Sequence, residues 1–120
     1  MNFKRQIVFY EHYFQDFYLE QSTIIRQKIG YVFFVVRTVQ VVPKKFLKHI
    51  EGTDGLYEIW VEFESNIYRI FCCFDKGNLV VLFNAFQKKT QKTQKTPVNE
   101  IGLALKLKDE YFNSKKKQLP

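Results

Sequence analysis

Apolar residues recur at helical spacing in two stretches of the first half of the chain. After a short apolar strand at residues 7–10, this spacing predicts a short helix with Tyr10, Phe14, Phe17 and Tyr18 on one side. Ser22 is a suitable N-cap for a second helix, which ends before Pro43. Its apolar stripe consists of Ile25, Ile29, Val32, Phe33, Val36 and Val39. The β-branched residues also permit a strand, but a pattern of about 18 residues is longer than most strands, so a helix is favoured.

Apolar and polar residues alternate with period two in residues 56–63, which predicts a strand. One face carries Tyr57, Ile59, Val61 and Phe63, and the other carries Glu58, Trp60 and Glu62. Turn residues at 64–66 lead into an apolar run at 67–74, and those at 75–78 lead into another at 79–83. The pattern predicts three consecutive antiparallel strands.

A final helix is predicted after Thr96, its N-cap, with Pro97 at the first helical position. Its apolar stripe consists of Ile101, Ala104, Leu105 and Phe112. Residues 113–120 are expected to form a frayed tail. The order strand, two helices, three-stranded meander and helix predicts one α+β domain over residues 1–120. We expect the helices against one face of an antiparallel sheet, with the other face left for a partner.

Composition and charge narrow the class of protein. The 120 residues are 46% hydrophobic and 18% aromatic, which is unlike a disordered chain and sufficient for a core. The net charge of +7 favours an anionic partner, with nucleic acid ahead of anionic lipid. The alternative is that the lysines only keep an aromatic-rich protein soluble.

Membrane, redox and cofactor functions find little support in the sequence. The longest apolar run, residues 31–36, is far shorter than the about 20 residues of a membrane span. The first residues lack the apolar stretch of a signal peptide, so we expect a cytoplasmic protein without membrane association. Cys72 and Cys73 have no zinc or redox spacing and are interpreted as reduced packing residues. No metal or nucleotide motif is present, and no cofactor is expected.

The segment from Phe86 to Pro97 contains lysines and hydroxyl residues and no acid. Its four lysines are Lys88, Lys89, Lys92 and Lys95. Because a predicted strand precedes the segment and a predicted helix follows it, the segment is held at both ends. A cationic loop that is held in this way indicates a site for phosphate groups.

Several motifs resemble the RelE/ParE superfamily of bacterial type II toxins, and within it the phage-derived HigB-like branch. They are GLYEI at 55–59, YRIF at 68–71 with FD at 74–75, FQKKTQK at 86–92, KTP at 95–97 and EI at 100–101. The resemblance implies a small RelE-like fold and a toxin that cleaves messenger RNA in the ribosomal A site. It also implies a cognate helix-turn-helix (HigA-like) antitoxin, and a toxin–antitoxin hetero-oligomer.

The sequence leaves two other functions open. One is the ParE-like activity of the same superfamily, which inhibits DNA gyrase by binding and involves no nuclease chemistry. The other is a degenerate toxin that only binds its antitoxin and tunes repression of the operon.

Cleavage of RNA by attack of the ribose 2′-OH places charge on the phosphate, which positioned cations stabilise. Arg69 interrupts an apolar strand on the face shared with Phe71 and Cys73, where an unpaired guanidinium is costly. It matches the strand arginine that the family places in its groove, which implies phosphate binding; the alternative is an ion pair with Glu58 or Glu62 across the hairpin. Lys88 and Lys89 are the other candidate catalytic residues, and the alternative is a solvated basic loop. The residues expected to bind RNA are Lys92, Lys95, Lys44, Lys45, Lys48 and Trp60. For the three lysines at 44–48 the alternative is a plain solvated turn.

The chain departs from the family pattern at two places. Trp60 stands where the family has an arginine, so one cation of the groove is missing. The indole at this position can stack on an RNA base, be covered by the antitoxin or simply pack against its neighbours. A repeated TQK inserts three residues in the lysine motif, so the alignment of Lys88 and Lys95 with the family is ambiguous. His49 and Tyr111 are weaker candidates, because loop histidines are mostly bystanders and Tyr111 has the spacing of a packing residue.

Overall fold

The computed structural model describes residues 2–88 and 97–118, which form one mixed sheet and three helices. The strands are β1 (Gln6–Phe9), β2 (Leu47–His49), β3 (Tyr57–Phe63), β4 (Asn66–Asp75) and β5 (Leu79–Lys88). The helices are α1 (Tyr13–Leu19), α2 (Thr23–Thr38) and α3 (Val98–Gln118). The strand order is β1-β5-β4-β3-β2, with β1 parallel to β5 and every other pair antiparallel. The predicted α+β class is confirmed.

The predicted meander is formed by β3, β4 and β5. The turn after β4 contains Lys76 and Gly77 at φ values of 54° and 81°, a left-handed conformation that glycine adopts without steric cost. Two details differ from the prediction. β2 is an additional short strand beside β3, and β5 continues to Lys88, so Phe86 and Lys88 lie in a strand and not in a loop.

The two N-terminal helices cover one face of the sheet. Ser22 caps α2 as predicted, since its hydroxyl oxygen accepts a hydrogen bond from the backbone N–H of Ile25 at 3.4 Å. The buried side of α2 consists of Ile25, Ile29, Val32, Val35 and Val36. Most of these residues pack with Phe14 of α1 on Ile59, Val61, Ile70, Cys72, Val80 and Leu82 of the sheet. The helical interpretation of this β-branched segment is therefore confirmed.

The expectation that all helices lie on one face was wrong, because α3 packs on the opposite face. Ala104 and Leu107 of α3 contact a second core made of Leu56, Phe71, Cys73, Val81 and Phe83. The runs at 70–74 and 79–83 are apolar at every position, so both of their faces must be buried. The face expected to be left for a partner is thus partly covered by α3.

The C-terminal part of α3 is helical up to Gln118, where a frayed tail was expected from residue 113. Lys115 forms an ion pair with Asp75, and the Tyr111 hydroxyl donates a hydrogen bond to the same carboxylate oxygen at 2.6 Å. Asp75 is the last residue of β4 and is only 7% exposed. These contacts hold the last turns of the helix on the sheet. At the other end, α3 begins at Val98 and the Pro97 carbonyl accepts from Glu100 and Ile101, while Thr96 lies outside the described residues.

Candidate functional site

A group of cationic and aromatic side chains lies on the α3 face of the sheet, on the neighbouring strands β2 to β5. Arg69 of β4 is directly opposite Trp60 of β3. Lys48 of β2 is opposite Glu58, and Lys88 of β5 is opposite Ile67. Because residues paired across strands share a face, and residues two apart on a strand do so too, these side chains project to one side. We call Lys48, Glu58, Trp60, Arg69 and Lys88 the cation cluster.

Arg69 is at the centre of the cation cluster and is only 1% exposed. Its guanidinium carbon lies 4.2 Å from the centroid of the Trp60 ring, within cation–π range. Burial lowers the pKa of Arg69, and the negative charge of the buried Glu58 partly opposes that shift. The predicted placement of Arg69 on the face of Phe71 and Cys73 is confirmed. The electrostatic attraction to Glu58 matches the predicted structural alternative.

Lys88 is the last residue of β5, next to the segment 89–96 that lies outside the described residues. Its Nζ is buried and has no hydrogen-bond partner within residues 2–88 and 97–118. Burial lowers the pKa of Lys88, the charge of Arg69 lowers it further, and Glu58 acts in the opposite direction. Two cations are therefore close enough to repel each other where water screens them poorly.

Trp60 stands between cations on both neighbouring strands. The Nζ of Lys48 is 3.4 Å from the ring centroid, and Arg69 approaches from β4. The indole N–H of Trp60 is buried and lacks an acceptor in the described part of the chain. The Trp60 ring thus interacts through its π system with one cation from each neighbouring strand.

The other predicted RNA-binding residues fall into two groups. Lys44 and Lys45 are exposed in the turn before β2, and the Nζ of Lys45 lies 4.9 Å from the Phe46 ring centroid. Lys89, Lys92 and Lys95 lie outside the described residues, and their roles remain predictions.

A polar contact that the sequence interpretation did not identify joins β5 to the start of α3. The amide nitrogen of Asn84 donates to the backbone oxygen and to the side-chain oxygen of Glu100, both at 3.1 Å. Asn84 is 3% exposed and interrupts an apolar run, which is the signal that identifies it in the sequence. This contact joins β5 to the first turn of α3.

The weaker candidates are not members of the cation cluster, although His49 directly follows Lys48 in β2. The His49 ring is exposed, 3.0 Å from the carbonyl oxygen of Thr53 and edge-on to Tyr57. Tyr111 contacts Asp75, six residues along β4 from Arg69, or about 20 Å at the usual rise per residue. Burial and the neighbouring Asp75 raise the pKa of Tyr111. The packing interpretation of Tyr111 agrees with this position.

The described residues form neither a metal site nor a membrane-spanning helix. Within them no group of His, Cys, Asp and Glu side chains is arranged to hold a metal ion. The three helices that they form are each too short or too polar to cross a membrane.

The α+β fold, with its mixed sheet and the cations on one face, is compatible with the RelE-like class of small proteins. The family model for "Phage derived protein Gp49-like (DUF891)" matches residues 16–109. The chain therefore belongs to this phage-derived Gp49-like family, a toxin-like family of the HigB/RelE type in toxin–antitoxin systems. No curated protein matches the chain.

Proposed function

We propose that this protein is the toxin of a type II toxin–antitoxin module and inhibits translation by cleaving messenger RNA on the ribosome. Its membership of a toxin-like family supports the general class. The cation cluster supports the more specific assignment to a phosphate-binding, RNA-cleaving surface.

The buried ammonium of Lys88 is the observation that carries this proposal. Its Nζ lies beside Arg69, and within the described residues nothing accepts its hydrogen bonds. Burying a cation beside a second cation costs free energy, through lost hydration and through repulsion. The single negative charge of Glu58 compensates only part of that cost. A phosphate group offers both a negative charge and acceptor oxygens to Lys88, so an anion is the ligand that best fits the cluster.

The chemistry follows from the same residues. The ribose 2′-oxygen attacks phosphorus and loses its proton, the P–O5′ bond breaks, and the 5′-oxygen takes up a proton. The products are a 2′,3′-cyclic phosphate and a 5′-hydroxyl end. Arg69 holds the phosphate oxygens in this scheme, and Lys88 or Lys89 stabilises the charge or transfers a proton. Because a lowered pKa increases the neutral fraction of Lys88, this residue is suited to proton transfer.

The remaining cations serve binding in this proposal. Lys92 and Lys95 contact the RNA backbone, Lys44, Lys45 and Lys48 contact ribosomal RNA, and Trp60 contributes an aromatic surface. No metal ion or cofactor is required, since side-chain cations take the role of neutralising the phosphate. The partner is a helix-turn-helix (HigA-like) antitoxin, which forms an inactive hetero-oligomer with the toxin in the cytoplasm.

The burial of Arg69 favours a second candidate, a protein that binds without cleaving. With 1% exposure and a tryptophan over it, the guanidinium is closed to a substrate in this conformation. A gyrase-inhibiting toxin and a degenerate toxin that acts only through its antitoxin both need no open site.

Inducible expression in bacteria, with growth and transcriptome-wide mRNA 5′ ends recorded together, tests the proposal. The variant carries Arg69→Ala, Lys88→Ala and Lys89→Ala. A matched control carries Lys106→Ala, Lys116→Ala and Lys117→Ala, which remove three exposed charges from α3. Circular dichroism and co-purification with the antitoxin check that each variant folds.

The wild type and the control are expected to arrest growth and to produce new 5′ ends inside translated codons, while the site variant does neither. Growth arrest without new mRNA ends contradicts the ribonuclease proposal. It favours gyrase as the target, which is then tested by mapping DNA breaks. The absence of any arrest by the wild type supports the degenerate toxin.

A further inference from the structure

A cavity of about 400 Å³ opens at the edge of the sheet, between the first half of α2 and the far end of β3. Its walls include Lys28, Tyr31, Lys45, Phe46, Trp60 and Glu62. Trp60 belongs both to this cavity and to the cation cluster, so the two are neighbours at the edge of the sheet. A cavity of this size accommodates a planar heterocycle.

The cavity exists because β2 is short. β2 pairs only with residues 57–59 of β3, and the last backbone bond of this edge runs from the Trp60 N–H to the Phe46 carbonyl oxygen at 2.9 Å. Beyond this point β3 has no strand neighbour on that side among the described residues. The edge therefore leaves room between the sheet and α2.

Two aromatic rings, those of Tyr31 and Phe46, line the cavity. Tyr31 is 57% exposed although its ring is large and mostly apolar. It meets Phe46 edge to face, with 6.3 Å between the ring centroids. An exposed ring supported by a second ring suits a stacking ligand, because stacking on an aromatic side chain contributes to binding for every nucleobase.

Polar groups of both signs surround this surface. Lys28 and Lys45 are exposed cations, and Glu62 is an exposed carboxylate on the same face of β3 as Trp60. The buried indole N–H of Trp60 has no acceptor in residues 2–88 or 97–118. A buried donor without an acceptor is costly, and a ligand acceptor relieves that cost if its binding opens the wall at Trp60.

We infer that this cavity binds one nucleobase of the RNA, and that Glu62 makes guanine the preferred base. The carboxylate of Glu62 can accept two parallel hydrogen bonds, and guanine presents such a pair at N1–H and N2–H. Guanine O6 and N7 are acceptors for Trp60 or Lys45. A phosphate on the cation cluster and a base in the adjacent cavity then belong to one bound strand. This inference rests on the proposed function, since it names part of the substrate of the same surface.

A different occupant is an acidic, extended peptide that adds to the free edge of β3. The cavity argues against it, because the carboxylate of Glu62 at its rim repels an acidic chain. Peptide binding is kept as an outcome of the test.

Trp60 is the only tryptophan of the chain, so the fluorescence of the wild-type protein reports on this site. The probes are 2′-O-methyl RNA trinucleotides with G, A, C or U at the centre, which cannot be cleaved because the 2′-oxygen is blocked. Binding is measured without ribosomes, so a failure to find mRNA cleavage in cells leaves the result intact. We expect the trinucleotide with a central G to bind at least five times more tightly than the one with U.

The variants separate base recognition from phosphate binding. Glu62→Gln is expected to remove the preference for G, while the matched exposed change Glu20→Gln leaves it unchanged. Tyr31→Ala is expected to weaken all four probes about tenfold by loss of stacking, whereas Phe34→Ala, also exposed on α2, has no effect. Lys88→Met is expected to weaken all four equally and to keep the preference.

Equal binding of the four probes, or a G preference that survives Glu62→Gln, overturns the inference. It is equally overturned if no trinucleotide changes the fluorescence while an acidic peptide does, which assigns the cavity to a protein partner. If mRNA is cleaved in cells but the cavity variants bind and cleave like the wild type, the proposed function stands and the nucleobase site does not.

Discussion

At the scale of the residue, the charge of Lys88 is held in an unfavourable place. In the unfolded chain the ammonium is hydrated, whereas in the fold burial and the nearby Arg69 lower its pKa. A lysine whose pKa is lower in the folded state binds fewer protons there than in the unfolded state, over the pH range between the two pKa values. The free energy of unfolding therefore rises with pH across that alkaline range. The cost of the charge is present in full at neutral pH.

Replacing Lys88 by methionine removes this charge and largely keeps the length of the side chain. We expect Lys88→Met to be more stable than the wild type at pH 7.5, with a difference that shrinks as the pH rises above 9. Urea denaturation at the two pH values measures it. Lys116→Met is the control, since it removes an exposed charge. A variant that is less stable than the wild type at pH 7.5 contradicts the account of an uncompensated cation.

Trp60 and Lys48 form the second residue-scale pair. The contact at 3.4 Å predicts a favourable coupling, on the order of 1 kcal/mol, for a partly buried cation on an indole. A double-mutant cycle with Trp60→Leu and Lys48→Met, measured by urea denaturation, isolates this coupling from the loss of the ring itself. We expect Lys48→Met to cost stability in the wild type and almost nothing in the Trp60→Leu variant. Equal costs in both backgrounds show that the two side chains do not interact.

At the scale of the element, α3 is attached to the sheet at both ends. Asn84 holds its first turn through Glu100, and Asp75 holds its last turns through Lys115 and Tyr111. The two hydrogen-bonding partners lower the pKa of Asp75, in the order Lys115 and then Tyr111. This carboxylate contributes stability above its unfolded pKa of about 3.8, and the contribution is lost as the pH falls through the lower folded value.

Removing the cation of Lys115 should release the end of α3. We expect Lys115→Met to destabilise the protein by about 1–3 kcal/mol, because the buried Asp75 then loses its ion pair and keeps the Tyr111 hydroxyl and the weaker influence of Lys76. Hydrogen exchange of residues 112–118 is expected to accelerate more than that of α2. Lys117→Met, at an exposed position of the same helix, serves as the control. Unchanged exchange at the end of α3 contradicts the role assigned to this contact.

The elements differ in how far their sequence predicts them. The stripe from Ile25 and the cap at Ser22 predicted α2, because both are local features. β2 was missed because three residues are too few to show alternation, and its pairing with β3 is a long-range property. The parity of the strand placed Arg69 on the face of Phe71, and this was correct. The irregular register between β4 and β5, by contrast, has no signature in the local pattern.

The sequence likewise predicts some features of the candidate site and not others. The face of Arg69 and the cationic character of the surface followed from strand parity and composition. The burial of Arg69, the position of Lys88 in a strand and the contact of Trp60 with two cations depend on which strands are neighbours. The covering of both sheet faces was predictable in principle, since the apolar runs leave no polar face.

At the scale of the whole molecule, the net charge of +7 is expected to govern the encounter with the ribosome, the target that we propose. Each lysine that neutralises an RNA phosphate releases counterions, so the logarithm of the binding constant falls linearly with the logarithm of the salt concentration. The slope of this line is a measure of how many phosphate groups the lysines contact. Lys44 and Lys45 are exposed in the turn before β2, on the side of the molecule that carries the cavity and Lys48.

Ribosome binding measured by sedimentation at several salt concentrations tests this placement. The double variant Lys44→Ala, Lys45→Ala is expected to bind more weakly at low salt, with a slope shallower by between one and two units, because about one counterion is released for each phosphate contact. The double variant Lys116→Ala, Lys117→Ala has the same net charge but loses its cations from the far end of α3, so its slope should equal that of the wild type. If both variants change the slope alike, the attraction depends on total charge and not on an oriented surface. In that case the lysines before β2 contribute to solubility and general attraction, and the cation cluster has to orient the protein on the ribosome without them.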